Sequence, residues 1–159
     1  MFHILVVDDD KNTRQLIKAV LETENYIVIG ATDGEDALKV LDRSHIDLVI
    51  LDVMMPKMDG YEFTEILRRV QNELPILMVS AKQLPADRNK GFIVGTDDFM
   101  TKPFDEEELL LRVKALLRRA KIVNEHRIII GEVILDYDSL TEAKKYLSGI
   151  TPKRIYAFI

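Results

Sequence analysis

Cysteine is absent from all 159 residues. Disulfide frameworks and cysteine-based zinc sites are thereby excluded, and the composition suits a reducing compartment. No apolar stretch approaches the roughly 18 residues that a membrane span requires, so no membrane association is expected. The N-terminus reaches Asp8 after a short apolar run, without the basic start and longer apolar stretch of a signal peptide. The expected location is the cytoplasm. Glycine-rich phosphate cradles are missing too, since neither GxxxxGK(S/T) nor GxGxxG occurs. A surplus of basic residues is also lacking. Residues 1–118 carry 15 Lys and Arg against 22 Asp and Glu, and residues 119–159 carry 7 against 5. The first part should repel nucleic acid, whose binding rests on neutralised phosphates. There is no internal repeat and no low-complexity segment.

What the chain does have is an alternation of strand and helix signals. Apolar runs at 3–8, 26–30, 46–51, 75–80 and 99–102 read as strands, and the run at 46–51 is hydrophobic enough to be buried on both faces. Between them, Asp10 can cap a helix whose Leu16, Ile17, Val20 and Leu21 share one face. Asp33-Gly34 opens a second helix with Ala37, Leu38 and Leu41 inward, and Asp59 can cap a third with Phe63, Ile66, Leu67 and Val70 inward. A weaker helix, α4, covers 85–94 and stops at Gly95; it precedes the last strand, β5 (99–102). The final helix, α5 (105–119), opens on Asp105 to Glu108 and closes on Arg118-Arg119, both favourable to its dipole. Five β-then-α units imply a doubly wound parallel sheet with right-handed crossovers.

Residues 120–126 read as a linker, and RIIIGEVILDY (127–137) as two short strands around Gly131-Glu132. The rest, to Ile159, holds too few apolar residues to fold alone, so an incomplete β-rich segment is expected there.

Polar residues sit where the strands end: Asp8 and Asp9, Asp52, Ser80 and Lys102. In neighbouring parallel strands these side chains meet at the carboxyl edge of the sheet, where open α/β folds bind ligands. Each has a bland reading as well, because acids cap turns, a strand-end serine often caps the next one, and Lys-Pro pairs are common in loops. Their number changes the balance. Gathered carboxylates repel unless a cation offsets them. Magnesium suits that place, with the Asp9 and Asp52 carboxylates and the Met54 backbone carbonyl as ligands and Asp8 acting through water. Asp52 would then be a carboxylate nucleophile forming an acyl phosphate, with Lys102 offsetting phosphoryl charge. Pro103 should hold Lys102 extended. Phe99, in a strand, is core by default.

The set VVDDD (6–10), LDVMMPKMDG (51–60), MVSAK (78–82) and DDFMTKPF (97–104) resembles the receiver domain of bacterial response regulators, over residues 1–119. That resemblance implies a flavodoxin-like fold with strand order 2-1-3-4-5 and a sensor histidine kinase as phosphoryl donor. It makes Asp52 the phospho-acceptor, Asp8 and Asp9 magnesium ligands, Ser80 and Phe99 switch residues, and Lys102 the phosphoryl-bonding cation. The chain is also similar to the OmpR/PhoB subfamily, through GTDDF (95–99) and LLRVKALLRR (110–119). This implies a phosphorylation-dependent homodimer through an α4-β5-α5 face, with Lys90, Asp97, Asp98, Arg112 and Arg118 as candidate ion-pair partners. Residues 127–141 and 150–153 resemble the start of that subfamily's winged-helix DNA-binding domain. The chain stops at Ile159, before a recognition helix and wing, so DNA binding is expected only if that domain is complete.

The resemblance implies a signalling module that turns over only its own phosphoryl group. The enzyme alternative is a magnesium-dependent aspartyl phosphatase or phosphotransferase. Such enzymes commonly carry a second acid two residues after the nucleophile, where this chain has Met54.

Overall fold

A computed structural model describes residues 1–70, 73–82, 84–125, 128–130 and 133–135, with side chains up to residue 121. Two compact units divide the chain, Met1–Leu117 and Arg118–Ile159. In the first, the elements run β1 (His3–Val7), α1 (Lys11–Glu22), β2 (Ile27–Ala31), α2 (Gly34–Arg43), β3 (Leu48–Leu51), α3 (Gly60–Val70), β4 (Ile76–Ser80), α4 (Pro85–Val94) and β5 (Asp98–Thr101), followed by α5 (Glu106–Glu125). The five strands form one parallel sheet in the order β2-β1-β3-β4-β5.

Alternation along each strand divides the core into two layers. Leu5, Val7, Val49, Leu51, Ile76, Met78 and Phe99 pack on one face with Ala37 and Val40 of α2 and Phe63 and Leu67 of α3. Ile4, Val6, Leu48, Ile50, Leu77, Val79 and Met100 pack on the other with Ile17, Val20 and Leu21 of α1 and Leu109, Val113, Leu116 and Leu117 of α5. All four β3 residues are buried, as a central strand covered on both sides requires.

The helix starts follow their caps. Asp10 accepts from the Asn12 N–H at 3.0 Å, Asp33 from Asp36 at 2.8 Å and Asp59 from Glu62 at 2.8 Å. Gly95, at φ 116°, closes α4 in the left-handed conformation, and its N–H donates to the Gly91 carbonyl.

Three expectations are corrected. Leu16 is exposed: 100° per residue carries it off the stripe of Ile17, Val20 and Leu21. Val70 is exposed as well, because it is the last residue of α3 while Phe63 and Leu67 fill the core. The stretch read as a linker from residue 120 is helical up to Glu125. Ala120 to Glu125 contain neither glycine nor proline, so nothing there stops the helix.

In the second unit, β6 (Ile128–Ile130) and β7 (Val133–Leu135) pair antiparallel, with Ile129 opposite Ile134. The remaining residues of that unit, including the 150–153 stretch, lie outside the described residues.

Candidate functional site

Parallel register brings the strand-end residues together. Val7 pairs with Leu51, so the next residues, Asp8 and Asp52, leave the sheet side by side. The hydrogen-bond ladder continues one step into the site. The Asp8 N–H donates to the Ala31 carbonyl at 3.1 Å, Asp52 to Val7 at 3.0 Å and Lys102 to Ser80 at 2.7 Å. The backbone of the site is therefore an extension of the sheet.

The side chains of Asp8, Asp9 and Asp52 each present an oxygen within 4.8 Å of the others. Asp8 is 3% exposed and Asp52 7%, whereas Asp9 faces solvent. Lys102 reaches in from β5 and donates to Asp8 Oδ2 at 2.8 Å, with its Nζ 3.5 Å from Asp52 Oδ2. Burial pushes the Asp52 carboxyl above the ordinary aspartate range, and the Asp8 charge adds to that, while Lys102 opposes it. For Lys102, burial alone would pull the ammonium down. The hydrogen bond to Asp8 and the charges of Asp52 and Asp8 outweigh it, and the lysine stays firmly charged.

Three carboxylates against one lysine leave the pocket an excess of negative charge, and the donors are all hard oxygens. That set fits a small divalent cation of the magnesium type. Met54, exposed on the loop after Asp52, donates its N–H to Asp52 Oδ1 over 3.4 Å.

Ser80 is buried at the end of β4, and its Oγ accepts from the Lys82 N–H at 3.2 Å. Phe99 pairs across the sheet with Met78 and is buried in the core, with the Arg88 guanidinium 5.8 Å from its ring centre. The five dimer-face candidates are distributed differently. Asp97 accepts from Arg68 Nη2 at 2.7 Å and from the Ile76 N–H at 2.8 Å. Both Asp98 oxygens take Arg112 Nη1 at 2.8 Å, and Arg112 Nε also donates to Glu108 at 3.0 Å. Arg112 thus pairs with Asp98 inside the chain, and Asp97 is held by Arg68. Lys90 Nζ lies 4.6 Å from the Tyr61 ring centre, and Arg118 is exposed.

Sequence reading gave Gly60 only a place in the loop before α3 and missed the contacts of several other residues at the site and in the fold around it. Gly60 begins α3 hard against the nucleophile loop: a Cβ there would stand 2.5 Å from the Asp52 carbonyl oxygen and 2.9 Å from Val53 Cα. Arg14 donates from Nη1 to the Asp8 carbonyl at 2.6 Å. Arg68 joins α3 to the Gly95 and Leu74 carbonyls at 2.8 and 2.6 Å as well as to Asp97. Tyr61 donates its hydroxyl to the Asp87 carbonyl of α4 at 2.9 Å. Only Gly60 carried a local signal, the Asp-Gly pair before a helical run.

Comparison with known proteins agrees with this geometry. The family model described as "Response regulator receiver domain" matches residues 4–114. A heme response regulator, HssR of Staphylococcus epidermidis, is 37% identical over 150 residues, covering 93% of this chain and 66% of its own length. PhoP of Bacillus subtilis, an alkaline phosphatase synthesis transcriptional regulatory protein, is 44% identical over 140 residues, covering 82% of this chain and 58% of its own length. The chain thus spans just under two thirds or less of these curated relatives. Both belong to the OmpR/PhoB family. Among solved structures, the Francisella response regulator 1452 receiver domain superposes with a TM-score of 0.71 at 35% identity, covering 75% of this chain and 98% of that one. The BeF3-activated DrrB receiver domain gives 0.70 at 37% identity, covering 75% and 99%. The chain therefore belongs to the response regulators of two-component signalling, and its residues 4–114 are their receiver domain.

Proposed function

We propose that this chain is a phosphorylation-controlled switch whose phospho-acceptor is Asp52. The observation that carries the reading is the placement of the Asp52 carboxylate. It is nearly buried at the carboxyl edge of the sheet, beside Asp8 and within 3.5 Å of the Lys102 ammonium. A sensor histidine kinase would present its phosphohistidine there. An Asp52 oxygen attacks phosphorus, the P–N bond breaks, and the imidazole leaves with the electron pair and takes up a proton. The product is an acyl phosphate on Asp52.

Asp9, Asp52 and the Met54 carbonyl would hold Mg2+, with Asp8 acting through water. When bound, Mg2+ supplies positive charge against the phosphoryl oxygens. Lys102 contributes a second cation, already held by Asp8, and Ser80 offers a hydroxyl at the end of the neighbouring strand. Phe99 couples this edge to α4, because Gly91 of that helix packs against it: a Cβ on Gly91 would stand 3.2 Å from the Phe99 ring. The chain thus catalyses its own phosphoryl transfer and dephosphorylation and no other turnover.

The wider role follows the relatives. Receiver residues 1–119 would control an output segment beginning at 127, the start of a winged-helix domain whose first hairpin corresponds to β6 and β7. Phosphorylation would favour a homodimer through α4-β5-α5. DNA would be a partner only where that output domain is complete, and the setting is the cytoplasm. Among the described residues, no helix is long and apolar enough to cross a membrane.

The test is labelling. With a small phosphodonor and magnesium, the protein should gain one phosphoryl group that hydroxylamine releases, and Asp52→Asn should gain none. Persistent labelling of that variant would overturn the assignment.

A further inference from the structure

Three consecutive carboxylates, Asp8, Asp9 and Asp10, follow β1, and each is aimed differently. Asp8 turns into the pocket, where Lys102 donates to its Oδ2 at 2.8 Å and the Asp10 N–H donates to its Oδ1 at 2.9 Å. Asp10 turns to α1 and caps it, with its two oxygens accepting from the Asn12 N–H at 3.0 Å and the Thr13 hydroxyl at 2.8 Å. Both side chains are fixed by their own partners. Asp9 faces solvent between them, yet presents an oxygen within 4.8 Å of those of Asp8 and Asp52. Like charges push such an exposed group outward. The direction in which it leaves the chain therefore depends on how firmly the Asp8–Asp9 peptide is held.

Two elements hold it. From β2, the Ala31 carbonyl takes the Asp8 N–H at 3.1 Å. From α1, Arg14 folds back and donates from Nη1 to the Asp8 carbonyl at 2.6 Å, while its own N–H donates to the Asp10 carbonyl at 3.1 Å. Asp8 is thus gripped at both backbone groups, and the arginine bond is the charged, stronger kind. The arginine stem lies beside Gly30 of β2. A Cβ there would stand 3.6 Å from Arg14 Cδ and 3.8 Å from Nε, so a larger side chain would compete for its path.

We propose that Arg14 is a positioning residue of the acidic pocket: by fixing the Asp8–Asp9 peptide, it aims the Asp9 carboxylate at the cation. This rests on the reading of that pocket as a magnesium site. Magnesium demands near-ideal octahedral geometry, so a ligand that must be ordered as the ion binds lowers the affinity. Groups that orient a metal ligand typically contribute about 10–100-fold. The sign of the effect separates this role from that of a charge. Removing a cation near the pocket would, by electrostatics alone, strengthen Mg2+ binding. Loss of aim weakens it.

Calorimetric titration of the unphosphorylated full chain with Mg2+ tests this without relying on phosphoryl transfer. Arg14→Met, which keeps the stem but not the donor, should weaken binding about tenfold. Arg14→Lys, which restores a charged donor, should recover most of that loss. Lys18→Met, at an exposed lysine of the same helix, should bind as wild type. With a small phosphodonor, Arg14→Met should need about tenfold more Mg2+ for half-maximal labelling and reach the wild-type rate at saturation. Wild-type or tighter Mg2+ binding in Arg14→Met, or Arg14→Lys as weak as Arg14→Met, would overturn the proposal. No Mg2+ binding by the wild type would overturn the magnesium reading and this proposal with it. Normal Mg2+ binding with no label on Asp52 would overturn the phospho-acceptor reading alone, and the calorimetric comparison would still decide the role of Arg14.

Discussion

Replacing Asp52 by asparagine should make the metal-free protein more stable at neutral pH, although it removes the phospho-acceptor. The pocket oxygens of Asp8, Asp9 and Asp52 lie within 4.8 Å of one another. At an effective dielectric of about 20, each pair at that distance repels by roughly 3 kcal/mol. The Lys102 contact with Asp52 at 3.5 Å returns about 4–5 kcal/mol on the same basis. The Asp8 repulsion and the Lys102 attraction largely cancel, and burial, the largest cause, stands against ionised Asp52. Asp9 faces solvent, where its charge is screened. Asparagine keeps the shape and can still accept from the Met54 N–H. We expect a gain of about 1–2 kcal/mol, or a few degrees in Tm for a domain of this size. Urea unfolding followed by circular dichroism in EDTA at pH 7.5 measures it directly.

The pH dependence has a definite sign. The folded Asp52 carboxyl titrates above its ordinary value of 3.8. Its contribution to stability is therefore complete below that value and is lost as pH rises through the folded pKa. The advantage of Asp52→Asn should grow over the same interval and vanish in acid. Saturating Mg2+ should narrow it by stabilising the wild type, since binding to the folded state alone raises stability. A variant less stable than wild type at pH 7.5 without metal would refute this electrostatic account.

Three other changes probe the acidic pocket and, for Arg68, the opposite edge of the sheet. Gly60→Ala puts a carbon 2.5 Å from the Asp52 carbonyl, so it should cost about 2 kcal/mol or more in urea unfolding and slow phosphorylation by displacing the nucleophile loop. Lys102→Ala strips the nearly buried Asp8 of its cation and should destabilise by about 2–3 kcal/mol in EDTA, with phosphorylation no longer promoting dimers in sizing experiments. Arg68→Ala removes donors from the Gly95 and Leu74 carbonyls and from Asp97, and denaturant titration should show a loss of about 2 kcal/mol.

The sequence exposed the sheet and the acidic pocket for one reason. Buried parallel strands must be continuous apolar runs, so the first charged residue after each run marks the carboxyl edge. Val7 to Asp8 and Leu51 to Asp52 show this directly. Contacts made across the fold leave no such mark. Arg14 reaches the Asp8 carbonyl six residues back, and Arg68 gathers acceptors up to 29 residues away. Charged residues on a helix read as solvated until the fold shows what they reach. Helix faces were legible only to within one position: Leu16 and Val70 sit at the margins of otherwise correct stripes. The His3 N–H meets Asp47 Oδ2, 44 residues away, only when β1 and β3 pair.

Helix α4 is fastened unlike its neighbours. Gly91 is its only fully buried residue, its Leu84 cap supplies no side-chain hydrogen bond, and Phe92 and Ile93 face outward. Its ties include the Tyr61 hydroxyl on the Asp87 carbonyl, Lys90 near the Tyr61 ring, Arg88 near the Phe99 ring, Lys82 against Asp87, and Gly91 and Val94 against the core. Beyond the Gly91 and Val94 contacts, little apolar surface is held against the core by this helix. Its amides should exchange with solvent through local openings far below the free energy of global unfolding, while those of β3 and β4 wait for the whole domain to unfold. Among the described helices, α4 has the fewest buried residues, so a new charge at the sheet edge would meet the least packing resistance there.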